Sequence, residues 1–275
     1  MPKNKTSIFL LLAFSLSLLA TQAHASQLVT ENYAGRNAII YVPSTLPASG
    51  SRALVVVLHG GLGNAQRISS EQSESALNMN AVADTAGFVV AYLNGTPVAR
   101  FLGADKLGWN AGKCCGLPAE KNIDDLAYIQ TTVHAIADKY GIDERRIYGV
   151  GHSNGAMMTQ KIMCETSLYA AAVPISGTLE NNASICSPAR GKRLMAIHGA
   201  EDRNVPIIGG KGSKGISRTL YASEAATAEV WQRSGASYDL QIIKGADHST
   251  DAINARIVET ESKTLAQKIA QYFGF

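Results

Sequence analysis

Residues 147–160, IYGVGHSNGAMMTQ, decide how the chain reads. Gly151-His152-Ser153-Asn154-Gly155 fits the pattern G-x-S-x-G, in which a strand turns sharply into a helix and lifts a serine hydroxyl above the sheet edge. Glycine is needed two residues to either side of the serine because neighbouring backbone passes too close for a side chain. The apolar segment IYGV precedes the motif and a helical pattern follows it, which is the context such an elbow requires. Without a base and an acid to activate it, Ser153 is only a small residue in a glycine turn.

Working outward, residues 37–44 (NAIIYVPS), 52–61 (RALVVVLHGG) and 87–95 (GFVVAYLNG) are apolar, β-branched runs ending in turn residues, so each reads as a strand. The second has no polar alternation, as expected of a strand buried on both faces of a parallel sheet. Residues 146–150, 170–176, 193–199 and 238–245 are four more strand candidates. Helical patterns cover residues 76–86, 123–140, 154–165, 221–234 and 257–272. For the second of these, Asn122 is the expected N-cap and Gly141 the C-terminal stop. Strands alternating with helices imply an α/β fold with a mostly parallel sheet and helices on both faces.

The first 25 residues read differently. Lys3 and Lys5 precede an apolar run over residues 8–20, and Ala23-His24-Ala25 supplies small residues around a cleavage point, the three-part pattern of a secretory signal. Cleavage after Ala25 leaves residues 26–275 as a single domain, secreted or periplasmic and without stable membrane association. Removing Lys3 and Lys5 lowers the net charge from +3 to +1, which gives no electrostatic case for nucleic acid or an anionic membrane. With 46% hydrophobic and 17% charged residues the chain can fill one sizeable core, which argues against disorder.

An oxidising compartment makes the four cysteines candidates for disulfides, and their spacings match no zinc site. Pairing Cys164 with Cys186 would close a moderate loop. Cys114 and Cys115 are adjacent, so a strained vicinal bond, other partners or free thiols all remain open.

In this architecture the acid and then the histidine follow the nucleophile, each in a loop after a later strand. Of the histidines beyond residue 25, only His248 in GADHS lies where the base is required. Asp202 in HGAEDRNVP is the better candidate for the acid, with Glu201 as the alternative. The backbone N–H of Asn154 is one donor for a developing oxyanion, and the LHGG loop supplies the second, with Gly61 ahead of Leu62. His59 fits a role bracing that loop. Trp109 is a candidate to line the substrate pocket, although core packing is the favoured account of a large aromatic. Met157 and Met158 read as core. Residues 209–215 (GGKGSKG) lack the P-loop spacing and read as a flexible surface loop.

LHGG, GWNAGKCCG followed by IDDLAYI, GHSNGAMM, HGAEDRNVP and GADHS occur here in the order that resembles the polyhydroxybutyrate depolymerase and feruloyl esterase-like family of α/β-hydrolase esterases. The resemblance spans roughly residues 39–248. It implies an α/β-hydrolase fold with Ser153 as nucleophile, Asp202 as acid and His248 as base, a disulfide between Cys164 and Cys186, and a cleft bordered by VPIIGG. It also implies a serine carboxylic-ester hydrolase that needs no cofactor and no metal. The expected substrates are small or polysaccharide-linked esters, feruloyl or acetyl, or short hydroxyalkanoate esters. A linker and polymer-adsorbing domain are missing, which puts attack on crystalline polyester in doubt. A peptidase or acyltransferase of the same fold, or a binding protein without turnover, are the alternative readings.

Overall fold

A computed structural model describes residues 1, 25–70, 75–215 and 217–275. The proposed signal segment therefore lies almost wholly outside the described residues. Eight strands form one sheet: β1 (Gln27–Tyr33), β2 (Arg36–Val42), β3 (Arg52–Leu58), β4 (Phe88–Leu93), β5 (Ile142–His152), β6 (Ala171–Ile175), β7 (Arg193–Gly199) and β8 (Ser237–Ile243). Their order is β1-β2-β4-β3-β5-β6-β7-β8. The β1/β2 and β2/β4 pairs are antiparallel and the rest parallel, so the C-terminal ends of β3 to β8 share one edge of the sheet. This is the α/β-hydrolase fold.

The helices are α1 (Ala65–Ser69), α2 (Asn80–Ala86), α3 (Gly116–Glu120), α4 (Asp125–Tyr140), α5 (Asn154–Glu165), α6 (Glu224–Arg233), α7 (Thr250–Glu261) and α8 (Leu265–Phe273). Alternation along β3 distributes them. Leu54, Val56 and Leu58 pack on one face with Ile129 and Val133 of α4, Met157 and Met158 of α5 and Trp231 of α6. Val55 and Val57 pack on the other with Ile68 of α1, Ala83 of α2, Ile253 of α7 and Ile269 of α8. The central strands are thus covered on both sides, as their uninterrupted apolar runs require.

Several boundaries differ from the sequence expectations. The helix expected at 76–86 starts only at Asn80, after a 3-10 turn at Ser75–Leu77, because the Asn78 side chain accepts from Asn80 N at 2.9 Å and interrupts the helical ladder. The cap of α4 is Asp124, whose carboxylate accepts from Ala127 N at 2.9 Å, while Asn122 sits at a φ of 48° outside the helix. Helix α6 begins at Glu224 rather than 221, behind a Ser223 cap. The single helix expected at 257–272 is two: α7 ends at Ser262, with a φ of 55°, and a capping box of Thr264 and Gln267 starts α8. Strand β1 was not foreseen; the Ala34-Gly35 turn folds it onto β2. Within residues 209–215, Gly210 and Lys211 pair with Leu220 and Tyr221 as a short antiparallel ladder.

Candidate active site

Ser153 stands at the junction of β5 and α5 with φ 53° and ψ −120°, a strained position that aims its side chain away from both elements. The flanking glycines explain themselves. A Cβ on Gly151 would collide with the Gly155 carbonyl, and one on Gly155 with the carbonyls of Leu58 and His59. The Ser153 N–H donates to Ile175 O at the end of β6 at 2.8 Å, fixing the elbow to the neighbouring strand.

His248 lies in the loop after β8 and Asp202 in the loop after β7. Ser153 Oγ is 2.9 Å from His248 Nε2, and His248 Nδ1 is 2.7 Å from Asp202 Oδ2. Asp202 Oδ1 accepts from Asn204 N at 2.8 Å and Val205 N at 2.9 Å, so the carboxylate is gripped by its own loop. Glu201 is exposed, and it is the Asp202 carboxylate that the structure places against His248. Burial alone would raise the Asp202 carboxyl, but hydrogen bonds from His198 and His248 outweigh it and hold the group well below the usual carboxylate range.

The LHGG loop lies against the elbow. A Cβ on Gly60 would stand 3.4 Å from Ser153 Cβ, and one on Gly61 3.8 Å from Asn154 Cβ. The Leu62 N–H is already committed to Leu107 O at 2.8 Å, which leaves Gly61 as that loop's better candidate donor beside Asn154. His59 braces the loop as expected: its Nδ1–H donates to Gly60 O at 2.8 Å and its Nε2 accepts from Gly95 N at 3.1 Å. Full burial pushes this imidazole down to about 4, so it is neutral.

The structure places Trp109 in the core and not on a pocket wall. Its side chain is wholly buried in the core, and its Nε1 donates to His59 O at 3.0 Å. The reason for that burial is the second half of the motif in which it sits. Asp125 Oδ2 accepts from Asn110 N at 2.7 Å, and Asp125 Oδ1 meets Arg36 Nη1 at 2.5 Å. The GWN and IDD motifs are therefore one buried clamp, which the sequence displays without showing that its halves meet. Cys164 and Cys186 form a disulfide between the end of α5 and the turn Ser187–Ala189, and Cys114 and Cys115 form a vicinal pair across a cis peptide.

Two histidines that sequence reasoning set aside also belong here. His152 Nε2 donates to the His248 main-chain carbonyl at 2.9 Å; burial, then the neighbouring His248, push it down to about 3. His198, the penultimate residue of β7, reaches both Asp202 and Glu224. The only hint of this in the sequence is its position four residues before Asp202.

Residues 45–260 match the family described as phospholipase/carboxylesterase. The chain belongs to that family. Feruloyl esterase B of Piromyces equi is 28% identical to this carboxylesterase-family chain over 181 residues, covering 64% of this chain and 31% of that protein. The bifunctional acetylxylan esterase/xylanase XynS20E of Neocallimastix patriciarum is 28% identical over 173 residues, covering 62% of this chain and 22% of the other. The chain thus spans less than a third of either relative's length. An S-formylglutathione hydrolase from Agrobacterium tumefaciens superposes with a TM-score of 0.61 at 11% identity, covering 90% of this chain and 94% of the other. A thermostable esterase gives 0.60 at 18% identity, covering 90% and 62%. At such identities these structures establish the shared fold.

Proposed function

We propose that the protein is a serine carboxylic-ester hydrolase working through an acyl-enzyme. The observation that carries this reading is the unbroken chain from Ser153 Oγ through His248 to Asp202, at 2.9 and 2.7 Å. Asp202 accepts a hydrogen bond from the Nδ1–H and so fixes the tautomer that turns the Nε2 lone pair toward the serine hydroxyl. Ser153 attacks the ester carbonyl while His248 takes its proton, and the N–H groups of Asn154 and Gly61 receive the oxyanion. The imidazolium then protonates the departing alcohol. Water, deprotonated by the same nitrogen, releases the acid and restores Ser153.

The substrates proposed are feruloyl or acetyl esters of plant polysaccharide, or short hydroxyalkanoate esters. The names of the two curated relatives favour the first pair, and the family resemblance supports the third. A secreted or periplasmic location, after cleavage at Ala25, is supported by the Cys164–Cys186 disulfide, which persists in oxidising compartments.

The test is the initial hydrolysis rate of the mature protein and of Ser153→Ala on 4-nitrophenyl acetate, 4-nitrophenyl butyrate and methyl ferulate. Turnover by the native protein that falls at least ~10³-fold in the variant is expected. Equal rates from both would overturn the reading. Preference for ferulate would assign the protein to cell-wall esters.

A further inference from the structure

We propose that His198 is a positioning residue, a buried imidazolium held between Asp202 and Glu224 that keeps the triad acid ionised and aimed at His248. This rests on the catalytic reading above. Both ring nitrogens of His198 face acceptors: Nδ1 lies 2.7 Å from Glu224 Oε1, and Nε2 lies 3.0 Å from Asp202 Oδ2 and 2.9 Å from Val205 O. A neutral imidazole has one N–H and one lone pair, so either tautomer would turn a lone pair on an oxygen.

The remaining contacts favour the proton on the ring over a carboxylate. Asp202 Oδ1 already accepts two backbone N–H groups, and its Oδ2 accepts from His248. Glu224 Oε2 accepts the Tyr238 hydroxyl at 2.5 Å. Both carboxylates are thus surrounded as anions, and the ring between them carries the charge that balances them. His198 is wholly buried, so water does not screen the pairing.

The titratable neighbours come from every element around the ring: Asp202 from the loop after β7, Glu224 from the start of α6, Tyr238 from β8, and, at one remove, His248 and the neutral His152 from the end of β5. Burial alone would lower the His198 ring, but its bonds with Asp202 and Glu224 lift it to about 9, in keeping with the geometry. Without that charge, burial would push the Asp202 carboxyl upward against only the bonds from His248 and from its own loop backbone. The charge on Asp202, and with it the hold on the His248 tautomer, would then weaken as the pH falls.

The experiment compares kcat/KM against pH for the native enzyme, His198→Gln and the double variant His198→Gln/Glu224→Gln on 4-nitrophenyl acetate. The single variant is expected to move the acid limb up by about half a pH unit or more, and the double variant, with one charge of each sign removed, to bring it most of the way back. A rate lowered equally at all pH values, with the limb in place, would overturn the proposal and leave a packing role. A second measurement needs neither a variant nor turnover. In ¹⁵N spectra of the native protein, one imidazole should keep both ring nitrogens protonated at pH 8, and a protein whose histidines are all neutral there would also overturn it. Failure of the esterase reading would instead show as absent hydrolysis with this imidazolium still present.

Discussion

Asn154 and Trp109 exchange two hydrogen bonds: Asn154 Oδ1 accepts from Trp109 N at 2.7 Å and Asn154 Nδ2 donates to Trp109 O at 3.0 Å. The residue after the nucleophile is thereby locked to a loop some forty-five positions away in sequence. Its side chain holds the loop, and its N–H faces the oxyanion in the proposed mechanism. Asn154→Ala would leave the Trp109 N–H buried and unpaired, while the Trp109 carbonyl keeps the Ala111 and Cys115 N–H groups, at a cost of about 2 kcal/mol. Urea denaturation should show that loss, together with a lower kcat.

Trp109→Phe keeps an aromatic ring in the same cavity and removes only the bond to His59 O. Because the indole is wholly buried, the variant should slow acetate, butyrate and ferulate esters by a similar factor. A change of more than about threefold in their relative kcat/KM, roughly 0.7 kcal/mol, would put the ring back in contact with the acyl group.

Three buried histidines shape stability against pH. His59 and His152, held neutral down to about 4 and about 3, titrate near 6.5 once unfolded, so the unfolded chain binds more protons as the pH falls below 6.5 and stability declines on that side. His198, lifted to about 9, gives the opposite slope: the native state binds the extra proton between 6.5 and 9, and that contribution is lost as the pH rises. The expected result is a Tm maximum close to pH 6.5, falling on both sides, in a thermal scan at fixed ionic strength. A Tm that climbs steadily from pH 6.5 to 9 would contradict a charged His198.

The Cys164–Cys186 disulfide closes a loop with a sequence separation of 22. Chain-entropy arguments give it about 3 kcal/mol. Cys164→Ser/Cys186→Ser should lower the urea midpoint accordingly while leaving the kcat of the remaining folded protein almost unchanged, since neither sulfur touches the triad.

Much of the site was legible because its signals are local. The elbow is written in two glycines that no side chain can replace, and the order of strands after it leaves His248 in the only loop suited to the base. What was missed depends on residues distant in sequence that meet in space. Nothing around Trp109 tells of Asn154 or His59 closing over it, and nothing in HGAED tells that Glu224 will arrive from α6. The break between α7 and α8 is of another kind. Thr264 and Gln267 display the capping box openly, but Ser262 takes the left-handed turn that glycine normally marks, so the apolar period runs on past a real boundary.

β8 is the last strand of the sheet and pairs on one side only, with β7. The loop that follows it carries His248, whereas Ser153 stands between interior strands. Peripheral strands open more readily than central ones, so the first fluctuation to matter withdraws the proton acceptor and leaves the nucleophile in place. In the proposed mechanism, turnover should therefore be lost first on warming. In a slow ramp it should fade while far-ultraviolet dichroism still reports an intact protein, and it should return on cooling without any need to refold the core.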